Sequence, residues 1–340
     1  TIQRMRNNNF GSNPLNMKFK KDITDKLQKN YTIDSLFCAF TTYDGISYVA
    51  WGNPNHTLEI YDLMLYKIIK SIVGFNAHIY ITRHFFDRVS KKDYLLTTTI
   101  SKSCIIFDCK DFSKVLTLKD CHVSSYLYSA LIVFDNLSPK DPFVVTSAPN
   151  EELKVWNFEK NIIKTIDTKK DYTYHLYALY YDRNNENKIF IVNANGKDVK
   201  IYNYRSGDLL KSFSSGQCGI WHMSAFVKTI DNIPCLFETD GNGNFNIWDI
   251  DNGIVKKNVT IKGCLMRGVC NWNDDYVLVA GSDKCVKVIN YNTQKVEGQI
   301  DGHTNVVCTV QKILHPVNGE SILTGSIDGK IKLYSIEVNK

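Results

Sequence analysis

A sevenfold internal repeat constrains the fold of this chain more than any other feature. Each copy centres on a branched or apolar residue, then a large residue, then Asp, Asn or Ser, and successive copies lie 41 to 49 residues apart. The copies are Ile60-Tyr61-Asp62, Ile106-Phe107-Asp108, Val155-Trp156-Asn157, Ile201-Tyr202-Asn203, Ile247-Trp248-Asp249, Val288-Ile289-Asn290 and Leu333-Tyr334-Ser335. A period in the forties is typical of four-stranded propeller blades, although helical repeats of similar length exist.

Strand chemistry separates these two possibilities. Residues 198–203 and 330–334 alternate polar and apolar side chains and are rich in Val, Ile and Tyr, a period of two that predicts a β-strand. Upstream, the apolar runs at 277–283 and 322–328 end in Gly-, Ser- and Asp-bearing turns, which predicts hairpins. No amphipathic helix pattern lies between the repeats. Each repeat is therefore predicted to form four strands, and the predicted fold class is all-β.

These residues resemble the tryptophan-aspartate (WD) repeat family of β-propellers. Trp248-Asp249 is the signature dipeptide, and Gly302-His303 followed by residues 324–328 and 333–335 reproduces almost a whole repeat. The resemblance implies one domain, 1–340, forming a seven-bladed β-propeller of four-stranded antiparallel blades. It implies an N-terminal segment at 1–30 and blades at about 33–77, 78–122, 123–170, 171–215, 216–263, 264–303 and 304–338.

The last repeat supplies only three strands before the sequence ends at Lys340. In the family, the N-terminal segment usually provides the missing fourth strand. Met17–Thr24 aligns with the outer strands of the other repeats. We therefore expect it to pair with the last blade, which removes two free sheet edges.

Composition and charge narrow the class of protein. The 340 residues carry 41 Lys and Arg against 35 Asp and Glu, a net charge of +6, with 44% hydrophobic and 22% charged residues, which is ordinary globular composition. The longest nearly apolar run, 126–134, is far shorter than the roughly 20 residues of a membrane-spanning helix, so no membrane insertion is expected. No block of five basic residues occurs, and nucleic-acid binding is not indicated.

The cysteines and the first residues bear on the compartment. Ten cysteines without a C-x-x-C pair are too sparse for a disulfide scaffold and wrongly spaced for zinc. Residues 1–9 are polar and do not resemble a secretion signal. We expect an intracellular protein, cytoplasmic or nuclear.

Several polar residues are assigned structural roles by the resemblance. A His before the innermost strand, a turn Asp and a Ser or Thr form a buried hydrogen-bonded chain in the family, and His303, Asp328 and either Thr324 or Ser326 match these positions, with Tyr334 in the tryptophan position. Such a set could be mistaken for a hydrolase triad, but no nucleophile elbow accompanies it. Asp283 occupies the same turn one blade earlier with Cys264 in place of the His, and Trp248 and Asp249 are also structural.

Five residues are predicted to bind a partner. Tyr80, Tyr126, Trp221 and Arg267 each follow a repeat centre by 19 residues, and Tyr174 follows one by 18. By family geometry this offset lies on the top face beside the central channel, where aromatic and Arg side chains suit a binding hot spot. A slip of one residue would instead turn any of these side chains into the blade core.

No cofactor or metal is predicted. His78, His84, Cys104 and Cys109 are close in sequence but lack metal-ligand spacing, and 241–246 reads as a hairpin turn rather than a phosphate loop. Leu265-Met266-Arg267-Gly268 has one arginine where phosphoinositide-binding propellers have two.

The predicted function is a non-catalytic scaffold for proteins or peptides, a monomeric ring within a larger complex. One alternative is a substrate receptor of a cullin-type ubiquitin ligase, because Tyr202-Asn203-Tyr204-Arg205 is similar to a degenerate W-D-x-R element. Another is an enzyme with its site at the channel mouth.

Overall fold

The backbone is organised as repeated antiparallel sheets. The computed structural model describes residues 17–24, 37–123, 126–135, 142–168, 173–181, 189–195, 198–214 and 222–336. These residues form seven four-stranded sheets, each antiparallel throughout, and include no helix. The prediction of an all-β propeller built from four-stranded antiparallel blades is confirmed.

The first six sheets each follow chain order. Sheet 1 contains β2 (Cys38–Thr41), β3 (Ser47–Gly52), β4 (Leu58–Asp62) and β5 (Lys67–Ile72). Sheet 2 contains β6 (Ile79–Asp87), β7 (Lys92–Thr99), β8 (Cys104–Asp108) and β9 (Lys114–Leu118). Sheet 3 contains β10 (Ser129–Val133), β11 (Phe143–Ser147), β12 (Leu153–Trp156) and β13 (Ile162–Ile166). Sheet 4 contains β14 (Thr173–Tyr181), β15 (Ile189–Asn195), β16 (Asp198–Asn203) and β17 (Leu209–Phe213).

The remaining sheets continue this pattern, and the last one also takes the first strand of the chain. Sheet 5 contains β18 (His222–Ile230), β19 (Ile233–Asp240), β20 (Asn244–Asp249) and β21 (Ile254–Thr260). Sheet 6 contains β22 (Met266–Asn271), β23 (Tyr276–Gly281), β24 (Val286–Asn290) and β25 (Lys295–Ile300). Sheet 7 has the order β26 (Val307–His315), β27 (Gly319–Ser326), β28 (Ile331–Ile336) and β1 (Met17–Thr24).

The repeated triplet explains each turn between a third and a fourth strand. Its last residue caps that turn: a side-chain oxygen of Asp62 accepts the N–H groups of Met64 and Leu65 at 2.7 and 2.9 Å. Asn203 accepts from Arg205 at 2.9 Å in the same way. Such local bonds satisfy backbone donors that have no ladder partner, which is why Asp and Asn recur there.

The middle residue of the triplet packs the interior. These seven side chains are all buried: Tyr61, Phe107, Trp156, Tyr202, Trp248, Ile289 and Tyr334. They belong to apolar clusters that join neighbouring sheets, such as the cluster holding Leu96 of sheet 2 with Ile132 of sheet 3. Burial of each large side chain contributes roughly 1.5–3 kcal/mol, so these clusters hold the sheets together face to face.

Both ends of the described chain meet in sheet 7. The predicted strand Met17–Thr24 is present as β1 and pairs antiparallel with β28. The ring of Phe19 lies edge-on to Tyr334 at 6.0 Å, and Lys330 Nζ lies 3.3 Å from Asp22 Oδ2. The innermost strand β26 also contacts β2 of sheet 1.

The antiparallel order gives the molecule two faces. The upper face carries the turns between second and third strands and the connections from one sheet to the next. The lower face carries the turns between first and second strands and between third and fourth strands. No helix in the described residues is long and apolar enough to cross a membrane.

Candidate binding site on the upper face

A hydrogen-bonded chain below the upper face of sheet 7 matches the predicted structural residues. His303 Nδ1 lies 2.9 Å from Asp328 Oδ2, and its Nε2 lies 2.7 Å from Thr324 Oγ1. Thr324 therefore takes the position for which Ser326 was the alternative, while the Ser326 hydroxyl donates to the Asn305 carbonyl. Asp328 also accepts the Thr304 N–H at 3.0 Å, so the chain fixes the connection that enters β26.

A second chain of the same kind lies in sheet 3, and sequence reasoning missed it. His122 Nδ1 lies 3.1 Å from Glu151 Oε2, and its Nε2 lies 2.9 Å from Thr146 Oγ1. Trp156 Nε1 donates to that same hydroxyl oxygen at 2.9 Å. Glu151 also accepts the Val123 N–H at 3.0 Å. The available signal was the ten-residue spacing of Thr146 and Trp156, which equals that of Thr324 and Tyr334.

Proton positions in this chain follow from the donors. Because Trp156 gives its N–H to Thr146, the Thr146 hydroxyl proton is directed to Nε2 of His122, and Nδ1–H then donates to Glu151. The neutral imidazole satisfies every partner. Burial, reinforced by the positive charge of Lys154, lowers the pKa of His122 to about 4.

The other predicted structural residues lie in sheets 5 and 6. Trp248 Nε1 donates to the buried carboxylate of Glu238 at 2.7 Å, and Asp249 accepts the Asn252 N–H at 3.0 Å. Although burial opposes ionisation, the bonds from Asn252 lower the pKa of Asp249. Asp283 forms an ion pair with Lys287 at 2.7 Å.

The innermost strands share a β-bulge at the entry from the upper face. Register shifts leave one extra residue in each of five strands, and these residues are Tyr80, Tyr174, Met223, Arg267 and Cys308. A bulge bends the strand and re-aims the extra side chain. Three of the five predicted binding residues, Tyr80, Tyr174 and Arg267, therefore occupy one repeated backbone position, near the upper-face end of the first strand of a sheet.

Aromatic side chains of sheets 2 and 3 contact one another on the upper face. Tyr80 and Tyr128 contact edge-to-face with ring centroids 5.2 Å apart, and Tyr128 contacts Tyr126 at 6.0 Å. Tyr126 is 44% exposed, whereas Tyr80 and Tyr128 are half-buried. The sequence analysis did not select Tyr128. It lies 21 residues after the repeat centre Phe107, whereas the predicted offset was 19 residues.

The remaining predicted residues differ in how far the structure describes them. Arg267 is half-buried at the start of β22, and its Nε is buried without a hydrogen-bond partner among the residues that the structure describes. Tyr174 lies in strand β14, but its side chain is outside the described residues, and Trp221 lies outside them entirely. Two histidines also lie on the upper face. The rings of His56 and His78 contact with their centroids 4.4 Å apart. Burial, together with the neighbouring His56, lowers the pKa of His78.

Arg205, the basis of the ubiquitin-ligase alternative, is engaged within the fold. Its Nε donates to Asp135 Oδ2 at 2.6 Å and to the Tyr204 hydroxyl at 3.0 Å, and its Nη2 also bonds Asp135. The Asp135 side chain is fully buried. The guanidinium therefore joins the lower face of sheet 4 to sheet 3.

The cysteines and the histidine considered as metal ligands pack or form hydrogen bonds inside the fold. Cys104 and Cys109 belong to two different apolar clusters, and burial raises the pKa of Cys121 to about 12. His84 Nε2 lies 2.7 Å from Asp93 Oδ1. Within the ranges that the structure describes, no three His, Cys, Asp or Glu side chains converge as a metal site.

Comparison with known proteins adds a family match and two partial relatives. Residues 294–335 match the family model described as WD domain, G-beta repeat. A stretch of 139 residues is 24% identical to the U3 small nucleolar RNA-associated protein 21 homolog of Schizosaccharomyces pombe, covering 41% of this chain and 15% of that protein. Another of 147 residues is 24% identical to autophagy-related protein 16 of Arabidopsis thaliana, covering 42% of this chain and 27% of that protein.

The chain thus corresponds to about a quarter or less of either relative's length. Neither printed name describes an enzyme. The matched repeat at 294–335 is the one that holds His303, Thr324 and Asp328 in a hydrogen-bonded chain. Residues 294–335 therefore match a WD repeat, and the seven sheets have the arrangement of a β-propeller.

Proposed function

We propose that this protein is a non-catalytic scaffold whose upper face binds a peptide or domain of a protein partner within a larger complex. In this proposal residues 1–340 form one domain, and the seven sheets close into a single ring through β1. The pairing of β1 with β28 and the contact of β26 with β2 support the closure. WD-repeat proteins commonly bind other proteins, and the nucleolar and autophagy-related names of the relatives support an intracellular location, cytoplasmic or nuclear.

The aromatic contact from Tyr80 through Tyr128 to Tyr126 carries the proposal. It joins two sheets at the channel mouth and leaves Tyr126 open to solvent. Tyr side chains offer a large apolar area with a polar tip and lose little conformational entropy on binding. Such side chains dominate the energy of protein interfaces.

The connections around this cluster are held in place before any partner arrives. Glu151 binds the N–H of Val123, close to Tyr126 in sequence, and Asp328 binds that of Thr304 in sheet 7. These charge-assisted bonds restrain the loops from below. A preformed surface pays less ordering entropy on association, which favours affinity without a conformational change.

Arg267 completes the proposed surface with a donor. Its Nε is buried and has no acceptor within the described part of the chain, and a buried donor without a partner costs free energy. A carbonyl or carboxylate of a docked peptide would supply that acceptor. Tyr174 and Trp221 remain in the proposed surface on the strength of their repeat offsets alone.

The competing functions have less support. The guanidinium of Arg205 is already bound to Asp135 and Tyr204, which leaves it poorly placed to capture a ligase adaptor. His303, the best candidate for a catalytic base, uses both ring nitrogens within the fold.

The test is affinity purification with quantitative mass spectrometry. We expect Tyr126→Ala and Trp221→Ala each to lose the same set of proteins while keeping the wild-type melting temperature. Ile162→Ala is the control, because Ile162 has a similar exposure, 48% against 44% for Tyr126, and lies at the start of the outer strand β13. Retention of every partner by both upper-face variants, with the fold intact, would overturn the proposal.

A further inference from the structure

A second exposed surface lies on the opposite side of the molecule. Large apolar side chains are exposed together on the lower face of sheets 7 and 1. We call this surface the lower apolar patch, and it consists of Tyr43, Ile46, Met64, Leu65, Leu314 and Val317. Contiguous exposed apolar surface on a soluble protein commonly marks an interaction site.

The equivalent turns of other sheets are polar, so the fold does not require these residues. Where sheet 1 has Met64-Leu65 after its turn-capping Asp62, sheet 2 has Lys110-Asp111, sheet 5 has Asp251-Asn252 and sheet 6 has Asn292-Thr293. In each case the cap accepts a backbone N–H group of the turn, and none of these bonds needs an apolar side chain at the two positions. Polar residues at 64 and 65 would therefore preserve the turn and avoid exposing apolar surface.

Bonds across sheets hold the patch together as one surface. The Ser47 hydroxyl donates to the Leu314 carbonyl at 3.0 Å, which joins the first hairpin of sheet 1 to sheet 7. The Tyr66 and His315 rings contact at 5.4 Å along the same seam. Leu63 N–H donates to the Ser47 carbonyl at 3.0 Å and links the two turns of sheet 1.

The edge of the patch toward sheet 2 is basic. There the exposed Val89 stands among exposed cations, Arg88, Lys91 and Lys92. The two acids that flank this turn of sheet 2, Asp87 and Asp93, are buried and used internally. Asp87 accepts the Val89 N–H at 2.9 Å, and Asp93 accepts the Tyr43 N–H at 2.8 Å.

We propose that the lower apolar patch binds a segment of a partner protein that presents aliphatic side chains flanked by carboxylates. The aliphatic groups fit the exposed Met64 and Leu65, and the carboxylates complement Arg88, Lys91 and Lys92. Charge complementarity of this kind sets specificity and speeds association.

Two other occupants fit less well. Inserting the patch into an anionic membrane would carry the exposed Asp44, which lies between Tyr43 and Ile46, into the lipid interface, where a charged side chain is costly. A symmetric dimer through the patch would bring two copies of its surroundings together, including the basic edge, and like charges repel. A protein segment avoids both costs, because it can place a cation beside Asp44 and acids beside the basic edge.

The test uses a display library of random dodecapeptides selected on the purified full chain. Met64→Ser with Leu65→Ser is the patch variant. Ile162→Ser with Ile163→Ser on the outer strand β13 is its matched control, because the exposures are 57% and 55% for the first pair and 48% and 46% for the second. A third variant, Arg88→Ser with Lys92→Ser, tests the basic edge. Binding of synthesised winners is measured by fluorescence anisotropy.

We expect enriched peptides to combine aliphatic residues with Asp or Glu. The patch variant should bind them at least about tenfold more weakly, since an anchoring side chain of Leu size is worth roughly this factor. The basic-edge variant should bind them severalfold more weakly, with the difference reduced at high salt. The control pair and Tyr126→Ala should bind as the wild type does, which separates this surface from the upper face.

Three results would overturn the proposal. They are winners that bind all variants equally, dimerisation in analytical ultracentrifugation that the patch variant abolishes, and patch-dependent binding to phosphatidylserine vesicles in preference to the peptides. The second would assign the patch to self-association, and the third to a membrane.

Discussion

Replacing His122 with Asn tests whether the hydrogen-bonded chain of sheet 3 stabilises the fold through a neutral imidazole. His122 is fully buried and links Glu151 to Thr146, whose hydroxyl in turn receives the N–H of Trp156. Asn can still donate toward Glu151 but offers no ring nitrogen to Thr146. Loss of this buried bond should lower the free energy of unfolding at pH 8 by about 1–3 kcal/mol.

The pH dependence of that loss is more diagnostic than its size. Burial and Lys154 lower the pKa of His122 to about 4 from an ordinary value of 6.5, so the folded protein resists the proton that the unfolded chain accepts. The stabilising contribution is complete above pH 6.5 and declines as the pH falls from 6.5 toward 4. At pH 5 the wild type should have lost about 2 kcal/mol from this residue alone.

Urea denaturation of the wild type and His122→Asn at pH 8, 6.5 and 5 measures both effects. Asn does not titrate, so the stability difference between the two proteins should shrink by about 2 kcal/mol between pH 8 and pH 5. His84, His303 and His315 also have lowered pKa values, principally through burial, but they are present in both proteins and largely cancel. A difference that stays constant with pH would refute the neutral, buried histidine.

Three further predictions concern stability. Removing residues 1–25 deletes β1, which pairs with β28, and should lower the melting temperature in calorimetry by about 5 °C or more; unchanged melting would contradict a closing role for β1. Arg205→Ala removes the cation beside the buried Asp135 carboxylate and should cost about 3 kcal/mol in urea denaturation, whereas a cost near zero would return Arg205 to the candidates for adaptor binding. Gly243→Ala places a methyl carbon 2.4 Å from the Ile261 carbonyl oxygen, whereas the methyl carbon of Gly263→Ala, at a similar positive φ, meets no atom within 4 Å. Gly243→Ala should therefore be less stable than Gly263→Ala by about 2 kcal/mol or more in urea denaturation. Equal stabilities of the two variants would refute the clash.

The strands were predictable because their physical causes are local. The alternation in 198–203 and the turn-forming Asp or Asn after six of the seven repeat centres are visible in the chain, and they correspond to β16 and to the capped turns. The hydrogen-bonded chain of His303 was predicted from the family resemblance alone, since Gly302-His303 and Asp328 stand in the family spacing.

The second chain was not predictable because its members depart from that spacing. His122 follows Cys121 instead of Gly, and its acid is Glu151, which lies 29 residues later, compared with 25 residues between His303 and Asp328. Three of the four extra residues precede Thr146, and one lies between Thr146 and Glu151. The longer Glu side chain still reaches His122, so the geometry is preserved although the motif is not.

Binding residues are harder to predict, because one inserted residue changes where a side chain points. Counting from repeat centres selected Tyr80 and Arg267, which occupy equivalent bulges. In sheet 3 the same count selected Tyr126, whereas the tyrosine that packs directly on Tyr80 is Tyr128. The lower apolar patch left no sequence signal, because Met64 and Leu65 resemble core residues until the turn exposes them.

Hydrogen–deuterium exchange of the purified protein, alone and with a co-purified partner, tests the scaffold account most directly. We predict slower exchange on partner binding in the upper-face segments around Tyr80, Tyr126–Tyr128 and Arg267, with unchanged exchange in the middle strands of every sheet. Slower exchange confined to the outer strands, or loosening of the sheets themselves, would contradict a rigid ring that presents its upper face to a partner.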